Sequence, residues 1–317
     1  MTTARAGLVV CAALVAAPAA AAEEIDVYGR LDLSLQHADE ATESFSELKN
    51  NASRVGVKGE FKLKEGLTAI YQLEFGVDLD DEVDGTFTDR NQFVALQGTF
   101  GAVRLGRHDT ALKASQGAFD LFDDHEGDIT EVFNGEVRLN DYVAYVTPTF
   151  AGAFTATVNF FPGEDPEAGN DGVADAASAS LAYDKDQIYA AIAHDVDVEG
   201  EDVETTRLVG GYTFGDVRIM LLYQKTETEF AEEDGFGTSV AWTFGDNTVK
   251  FQYLAADIWR LTPQADPFDN RLENSLSVGF DHKLAKNTKL FGLYRTGDIG
   301  GTSEKAEHVA IGIQQNF

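Results

Sequence analysis

The amino-acid sequence predicts an all-β fold, a closed transmembrane antiparallel up-and-down β-barrel of about 16 strands. Three observations predict it. Apolar and polar residues alternate with period 2 in segments of about ten residues, the length a tilted strand needs to cross a bilayer. Tight turns alternate with longer polar loops along the whole chain. The final strand pattern, Glu307, Val309, Ile311, Ile313 and Gln315, closes on Phe317, an aromatic residue with a free carboxylate.

The elements follow in order. Arg5, the apolar stretch 7–17, Pro18 and the small residues Ala19 to Ala22 read as a secretory leader cut before Glu23, giving a leader over 1–22 and a barrel over 23–317. Cys11 is the only cysteine, so residues 23–317 hold neither a disulfide framework nor a thiolate metal site. In the first strand Val27, Leu31, Leu33 and Leu35 alternate with Asp26, Tyr28, Arg30, Asp32, Ser34 and Gln36. In the second, Val55, Val57, Phe61 and Leu63 oppose Arg54, Lys58, Glu60 and Lys62; in the third, Leu67, Ala69, Tyr71, Leu73, Phe75 and Val77 oppose Thr68, Gln72 and Glu74. The same rhythm sets the strands at 25–37, 52–64, 67–77, 90–100, 102–108, 137–147, 153–161 and 174–184. It continues at 187–194, 205–214, 217–225, 236–244, 248–256, 271–281, 288–296 and 306–317. In the fourth span Val94 and Leu96 oppose Phe93 and Ala95, and the phase stays open.

Tight turns fall at 64–66, 100–102, 214–216, 244–247 and 284–287, and long polar segments at 38–50, 78–89, 162–172, 195–204, 226–234, 257–269 and 296–305. Phe and Tyr number 22 and 10, and many close strands, among them Phe100, Phe154, Tyr212, Phe214, Phe244 and Phe280, as girdles at a membrane interface require. One connection breaks the rhythm. From Asp109 to Glu136, apolar anchors (Leu112, Phe119, Leu121, Phe122, Ile129, Phe133) are mixed with acids (Asp120, Asp123, Asp124, Glu126, Asp128, Glu131). A loop in free solvent needs no such anchors, whereas one packed on an inner wall does.

The formal net charge is −30, from 54 acids against 24 Lys and Arg, which excludes nucleic acid as a partner. It fits an acidic surface and a channel mouth that attract cations. No enzyme motif is present: the six histidines are scattered and no H-E-x-x-H occurs. Gly98, Gly101 and Gly106 lie in strand pattern with no helix after them, so they are turn and strand glycines rather than a phosphate cradle. Asp80-Asp81-Glu82 and Glu232-Glu233-Asp234 are able to bind Ca²⁺ weakly, but such runs are more often solvated loop charge. No cofactor is implied.

The segments "DVYGRLDLSL", "NASRVGVKGEFKLKEGLTAIYQLEFGVD", "DRNQFVALQGTFGAVRLGRHD", "AYVTPTFAGAF" and the final "IGIQQNF" stand in family order along a chain that resembles the general diffusion porins of Gram-negative bacteria. The resemblance implies a 16-stranded homotrimeric barrel in the outer membrane, in contact with lipid and lipopolysaccharide. It also implies that the third external loop folds inward to narrow the pore. Carried over by motif, Arg30, Arg54, Arg90 and Arg138 are the basic wall of that constriction. Asp120, Asp123, Asp124 and Glu126 are its loop acids. Alternation alone also puts Arg30 and Arg54 on the polar face. Arg107, in "LGRHD", belongs near the constriction or at the loop base. The expected function is passive diffusion of ions and small hydrophilic solutes, with a preference for cations. A substrate-specific channel for small anions or nutrients is the alternative; Lys58 and Lys62 are a thin start to the lysine ladder it needs. A soluble acidic β-sandwich is a third reading, but it calls for shorter strands with polar outer faces.

Overall fold

The computed structural model describes residues 25–40, 43–80, 86–163, 172–229, 231–257, 272–300 and 304–317. The leader proposed over 1–22 and parts of several expected loops lie outside the described residues. The strands are β1 (Asp26–Glu40), β2 (Glu43–Asn50), β3 (Arg54–Lys64), β4 (Leu67–Val77), β5 (Phe87–Gly98), β6 (Gly101–Asp109), β7 (Arg138–Val146) and β8 (Phe154–Phe161). They continue as β9 (Ala176–Lys185), β10 (Ile188–Val196), β11 (Glu204–Phe214), β12 (Val217–Glu227), β13 (Glu232–Phe244), β14 (Asn247–Ala256), β15 (Leu272–Ala285), β16 (Thr288–Ile299) and β17 (Lys305–Asn316).

All lie in one sheet and pair antiparallel with their chain neighbours, except that β2 and β3 do not pair with each other. β2 and β3 both pair with β1, at Leu33–Glu40 and Asp26–Arg30 respectively, so they are two halves of one barrel strand broken at 51–53. Seventeen segments therefore fill sixteen barrel positions. The segment 38–50, expected as a loop, is mostly this hairpin: its alternating charges satisfied the sequence criterion for a loop, yet the backbone pairs from Glu40↔Glu43 downward. Likewise β13 begins at Glu232, so that acid run opens a strand, with Glu233 buried.

The sheet closes where β1 meets β17 over Arg30↔Asn316 to Glu40↔Ala306. Gly29 and Phe317 exchange both backbone hydrogen bonds at 3.1 Å. The Phe317 ring lies where a Cβ on Gly29 would have to stand, 2.3 Å from its Cζ, so only glycine fits under it. Closure removes the unpaired edge that an open sheet would present to lipid.

Burial is inverted relative to a soluble protein. Leu35 is 59% exposed, while its polar neighbours Ser34 and Gln36 are each 2% exposed and Asp32 is fully buried. The apolar residues face outward and the polar ones inward. Phe214, Trp242, Phe244 and Phe280 are exposed near strand ends on the outward face. The phase of β5 is settled by register: Val94 and Leu96 pair with Leu105 and Val103, all exposed, whereas Gln97 pairs with Thr68 on the inward face. A β-bulge between Leu73 and Phe75 shifts the pairing. The outward polar residues of this wall are Asp89, Gln92, Arg107 and Asn140. Asp89 pairs with Phe75, and Arg107 pairs with Gln92 in the outward row of Leu105 and Val94. Arg107 Nη1 donates to Asn140 Oδ1 at 2.9 Å, and Gln92 Nε2 donates to Asp89 Oδ1 at 3.0 Å.

Candidate functional site

The segment 110–137 is held to the inner face of the barrel by residues the sequence spreads over half its length. Thr110 caps a single helical turn, α1 (Ala111–Ala114), accepting from Lys113 N–H at 3.1 Å. The first free N–H groups of that turn go to the wall: Ala111 donates to Asn159 Oδ1 of β8 (2.6 Å) and Leu112 to Ser178 Oγ of β9 (3.1 Å). Phe119, Ile129, Val132 and Phe133 then bury themselves with Val209, Met220, Leu222 and Leu254 of β11 to β14. Phe122 does the same with Phe291, Leu293 and Ala310 of β16 and β17. Each side chain of this size gains roughly 1.5–3 kcal/mol on full burial, which is what fixes a connection with so little regular structure.

Polar fastenings complete the seat. Buried Arg207 of β11 donates from Nη1 to Glu136 Oε1 (2.5 Å), from Nη2 to the Asn134 carbonyl (2.9 Å) and from Nε to Gln224 Oε1 (2.8 Å). Gln252 of β14 donates to Asp120 Oδ1 (3.1 Å) and to the Gly127 carbonyl (2.8 Å), and its Oε1 accepts from Leu121 N–H (2.8 Å). Arg295 of β16 meets Glu126 at 3.1 Å and Glu131 at 3.2 Å. Partners on β8 through β17 all lie on the polar face of a closed sheet, so the segment runs inside the barrel.

Its tip reaches the opposite wall. Asp124 forms ion pairs with both Arg30 of β1 and Arg54 of β3, with Arg90 of β5 at 3.9 Å from its other oxygen. His125 Nε2 lies 3.3 Å from Asp32 Oδ1, and Lys49 Nζ is 2.7 Å from Glu126. What remains between the loop and β3 to β7 is a gap of about 460 Å³. Arg54, Arg90, Lys113 and Arg138 face it, against the carboxylates of Glu74, Asp109, Asp123, Asp124, Asp128 and Glu136.

The eight residues singled out from sequence thus separate. Arg30, Arg54, Arg90 and Asp124 come together. Asp123 lies beside them on the gap. Arg138 stands further along the wall, 2.9 Å from Asp109 and donating to Asn91 at 2.6 Å. Asp120 is turned away, holding Phe122 and Ile129 N–H groups as well as Gln252. Glu126 is fastened to Lys49, Arg295 and His308. Arg107 faces outward. Glu74, Asp109, Lys113 and Arg207 were not singled out as site residues. Alternation had put Glu74 on the polar face, but nothing along the chain reveals that Arg90 sits beside it.

The carboxylates differ in how firmly they hold their protons. Burial pushes Asp124 upward, but Arg54, Arg30 and Arg90 outweigh it and hold the group below the usual carboxylate range. Asp123 is pushed up by burial and then by Asp124 and Asp128. Asp120 is raised well above its ordinary value by burial and by Asp128. Burial opposes ionisation of Glu126 too, yet Lys49, His308 and Arg295 bring it down to about 2. Burial lifts Glu131 to about 7, with Arg295 offsetting only part of it and Glu126 adding to it.

Glu131 gives a pH prediction. Its value on the wall is about 7 against an ordinary 4.5, so within that window the seated loop keeps a proton that a released loop gives up. Seating is favoured at the low end and weakens as pH rises through 7. Brief current fluctuations in planar bilayers are therefore expected to be more frequent at about pH 8 than at about pH 5.5, and Glu131→Gln to abolish the difference. An unchanged pH dependence in that variant would show that another group is responsible.

The model of the Gram-negative porin family matches residues 7–302. The chain belongs to the Gram-negative porin family. Among curated relatives, this porin is 25% identical to a monosaccharide porin of Halomonas, over 93% of this chain and 87% of that one. It is 27% identical to the major outer membrane protein P.IB of Neisseria gonorrhoeae, over 87% and 88%. Solved structures share the fold. The anion-selective porin from Comamonas acidovorans matches with a TM-score of 0.70 at 21% identity, covering 93% of this chain and all of the other. The Salmonella typhi OmpF complex matches with a TM-score of 0.73 at 16% identity, over 93% and 98%. This porin is therefore a multi-spanning outer-membrane diffusion channel and not an enzyme.

Proposed function

We propose that this porin is a weakly cation-preferring channel for ions and small hydrophilic solutes, with the 110–137 loop as its constriction. The observation that carries the reading is the lining of the remaining gap, six carboxylates against four cationic side chains. Two of those cations are already paired, Arg54 with Asp124 and Arg90 with Glu74, so little positive charge is left to attract anions. The formal net charge of −30 extends the same sign over the chain and concentrates cations at its mouth. The alternative, a channel specific for small anions, would need an excess of free basic groups in the gap. Export would remove residues 1–22, which lie outside the described residues.

The test is the reversal potential across a KCl gradient in planar bilayers. At about 0.1 M salt the screening length is about 10 Å, so the lining and mouth both act; at about 1 M it falls to roughly 3 Å. Cation preference is expected at low salt and a weaker one at high salt. Anion preference at low salt would overturn the reading.

The functional unit we propose is a homotrimer. Asp89, Gln92, Arg107 and Asn140 form an outward polar group that lipid cannot solvate, and a second copy would supply its remaining partners. Arg107→Leu is expected to lower the temperature at which trimers separate on mild-detergent gels by several degrees, with the folded monomer band intact. Trimers as heat-resistant as before would take this group out of the interface.

A further inference from the structure

The arginine wall carries a second carboxylate, on the barrel itself rather than the loop. Tyr28, Gly56 and Glu74 lie in one lateral row across β1, β3 and β4, because Tyr28 pairs with Gly56 and Gly56 with Glu74. The Tyr28 ring crosses that row: a Cβ on Gly56 would meet its Cζ at 2.5 Å. Its hydroxyl donates to Glu74 Oε2 at 2.9 Å. The other oxygen, Oε1, accepts from Arg90 Nε at 2.8 Å. Arg30 and Arg54 pair in the next inward row of the same strands, two residues nearer the loop tip, where Asp124 sits. The arginine wall therefore meets two carboxylates, Asp124 on the loop paired with Arg30 and Arg54 and Glu74 on the barrel paired with Arg90, and Glu74 is itself buried.

This arrangement has a consequence for selectivity that rests on the proposed cation preference. We infer that Glu74 is a specificity-determining residue: it cancels the charge of Arg90, holds the guanidinium by its Nε edge, and so keeps the wall from acting as an anion track. Tyr28 positions it, and Gly56 leaves the room that Tyr28 needs. The loop acid alone cannot do this, since Asp124 is already shared between Arg30 and Arg54 and stands 3.9 Å from Arg90.

The experiment measures reversal potentials of wild type, Glu74→Gln, Arg90→Gln and the double variant in one KCl gradient, on trimers with wild-type heat-resistance. Glu74→Gln removes one negative charge a few ångströms from the path and is expected to lower the K⁺/Cl⁻ permeability ratio by about three-fold. The double variant returns to near the wild-type ratio, because a pair of opposite charges is lost together. Tyr28→Phe keeps the charge and is expected to shift the ratio by less than half as much. A cation-preferring wild type whose ratio is unchanged in Glu74→Gln would overturn this inference and leave the proposed function standing. An anion-preferring wild type would instead overturn the function. Should Glu74→Gln fail to assemble, Glu74→Asp must keep the wild-type ratio and Arg90→Gln must raise it; a fall in the first or no change in the second would overturn the assignment.

Discussion

Arg207→Leu is expected to loosen the whole constriction loop. Its guanidinium is fully buried and spends its donors on Glu136, the Asn134 carbonyl and Gln224. Leucine fills part of the volume but leaves the buried Glu136 carboxylate without its main partner. Burial pushes that carboxyl above its ordinary range and Arg207 is the chief group opposing it. Breaking a buried pair from one side costs about 3–5 kcal/mol, which is comparable to burying one or two of the loop's aromatic anchors. The barrel ladder does not depend on this contact, so the damage should be local. Single-channel recordings should show a larger and noisier conductance, while strand content and trimer bands persist. Adding Glu136→Gln should recover much of the wild-type trace, since the orphaned charge is then gone. Quiet, wild-type conductance in Arg207→Leu would mean that the apolar anchors alone seat the loop.

Asp124→Asn should shift ion preference more than any other single change in the loop. It removes the shared acceptor of Arg30 and Arg54, so one unit of positive charge that was cancelled, spread over two guanidiniums, becomes available to anions. A single unit charge at about 5 Å in water-like surroundings changes an ion's energy by nearly 1 kcal/mol. Unmasking the pair should therefore lower the K⁺/Cl⁻ ratio by roughly five-fold or more and carry the pore toward anion preference. Asp123→Asn should have a smaller effect, because among the described residues Asp123 forms no ion pair with an arginine and its ionisation is already resisted by burial, Asp124 and Asp128. Acid should act in the same order. As pH falls, Asp123 takes up its proton first, while Asp124, held below the usual range by its arginines, keeps its charge and its contribution to loop seating until lower pH. Equal shifts for the two asparagine variants would mean that only total charge matters and not the pairing.

Much of the barrel was legible in the sequence, and the reasons are specific. Alternation such as Leu31, Leu33, Leu35 against Asp32, Ser34, Gln36 has only one stable solution when both faces are continuous over ten strands or more: lipid outside and polar residues inside. The first hairpin was missed because Phe45 and Leu48 are the only large apolar side chains in residues 38–50, too few for alternation to give a signal. The phase of β5 was ambiguous for another reason: Phe93, Val94, Ala95 and Leu96 make both faces apolar, and only pairing with β4 and β6 shows which face is outward.

The sequence by itself determined that strands of bilayer length alternate, that the chain is strongly acidic, and that 109–136 has too many apolar anchors to be a free loop. These are local properties, set by residue type and by spacing of a few positions, and they survive without knowledge of the fold. The tertiary structure alone decided which charges meet. Arg30, Arg54, Glu74, Arg90 and Asp124 come from four barrel strands and one loop, and Arg207 finds Glu136 across 71 positions of chain. Register between distant strands sets those pairs, and a shift of one residue would turn each of these side chains to the lipid face. Charge balance at the constriction is therefore a property of closure, which no stretch of sequence contains.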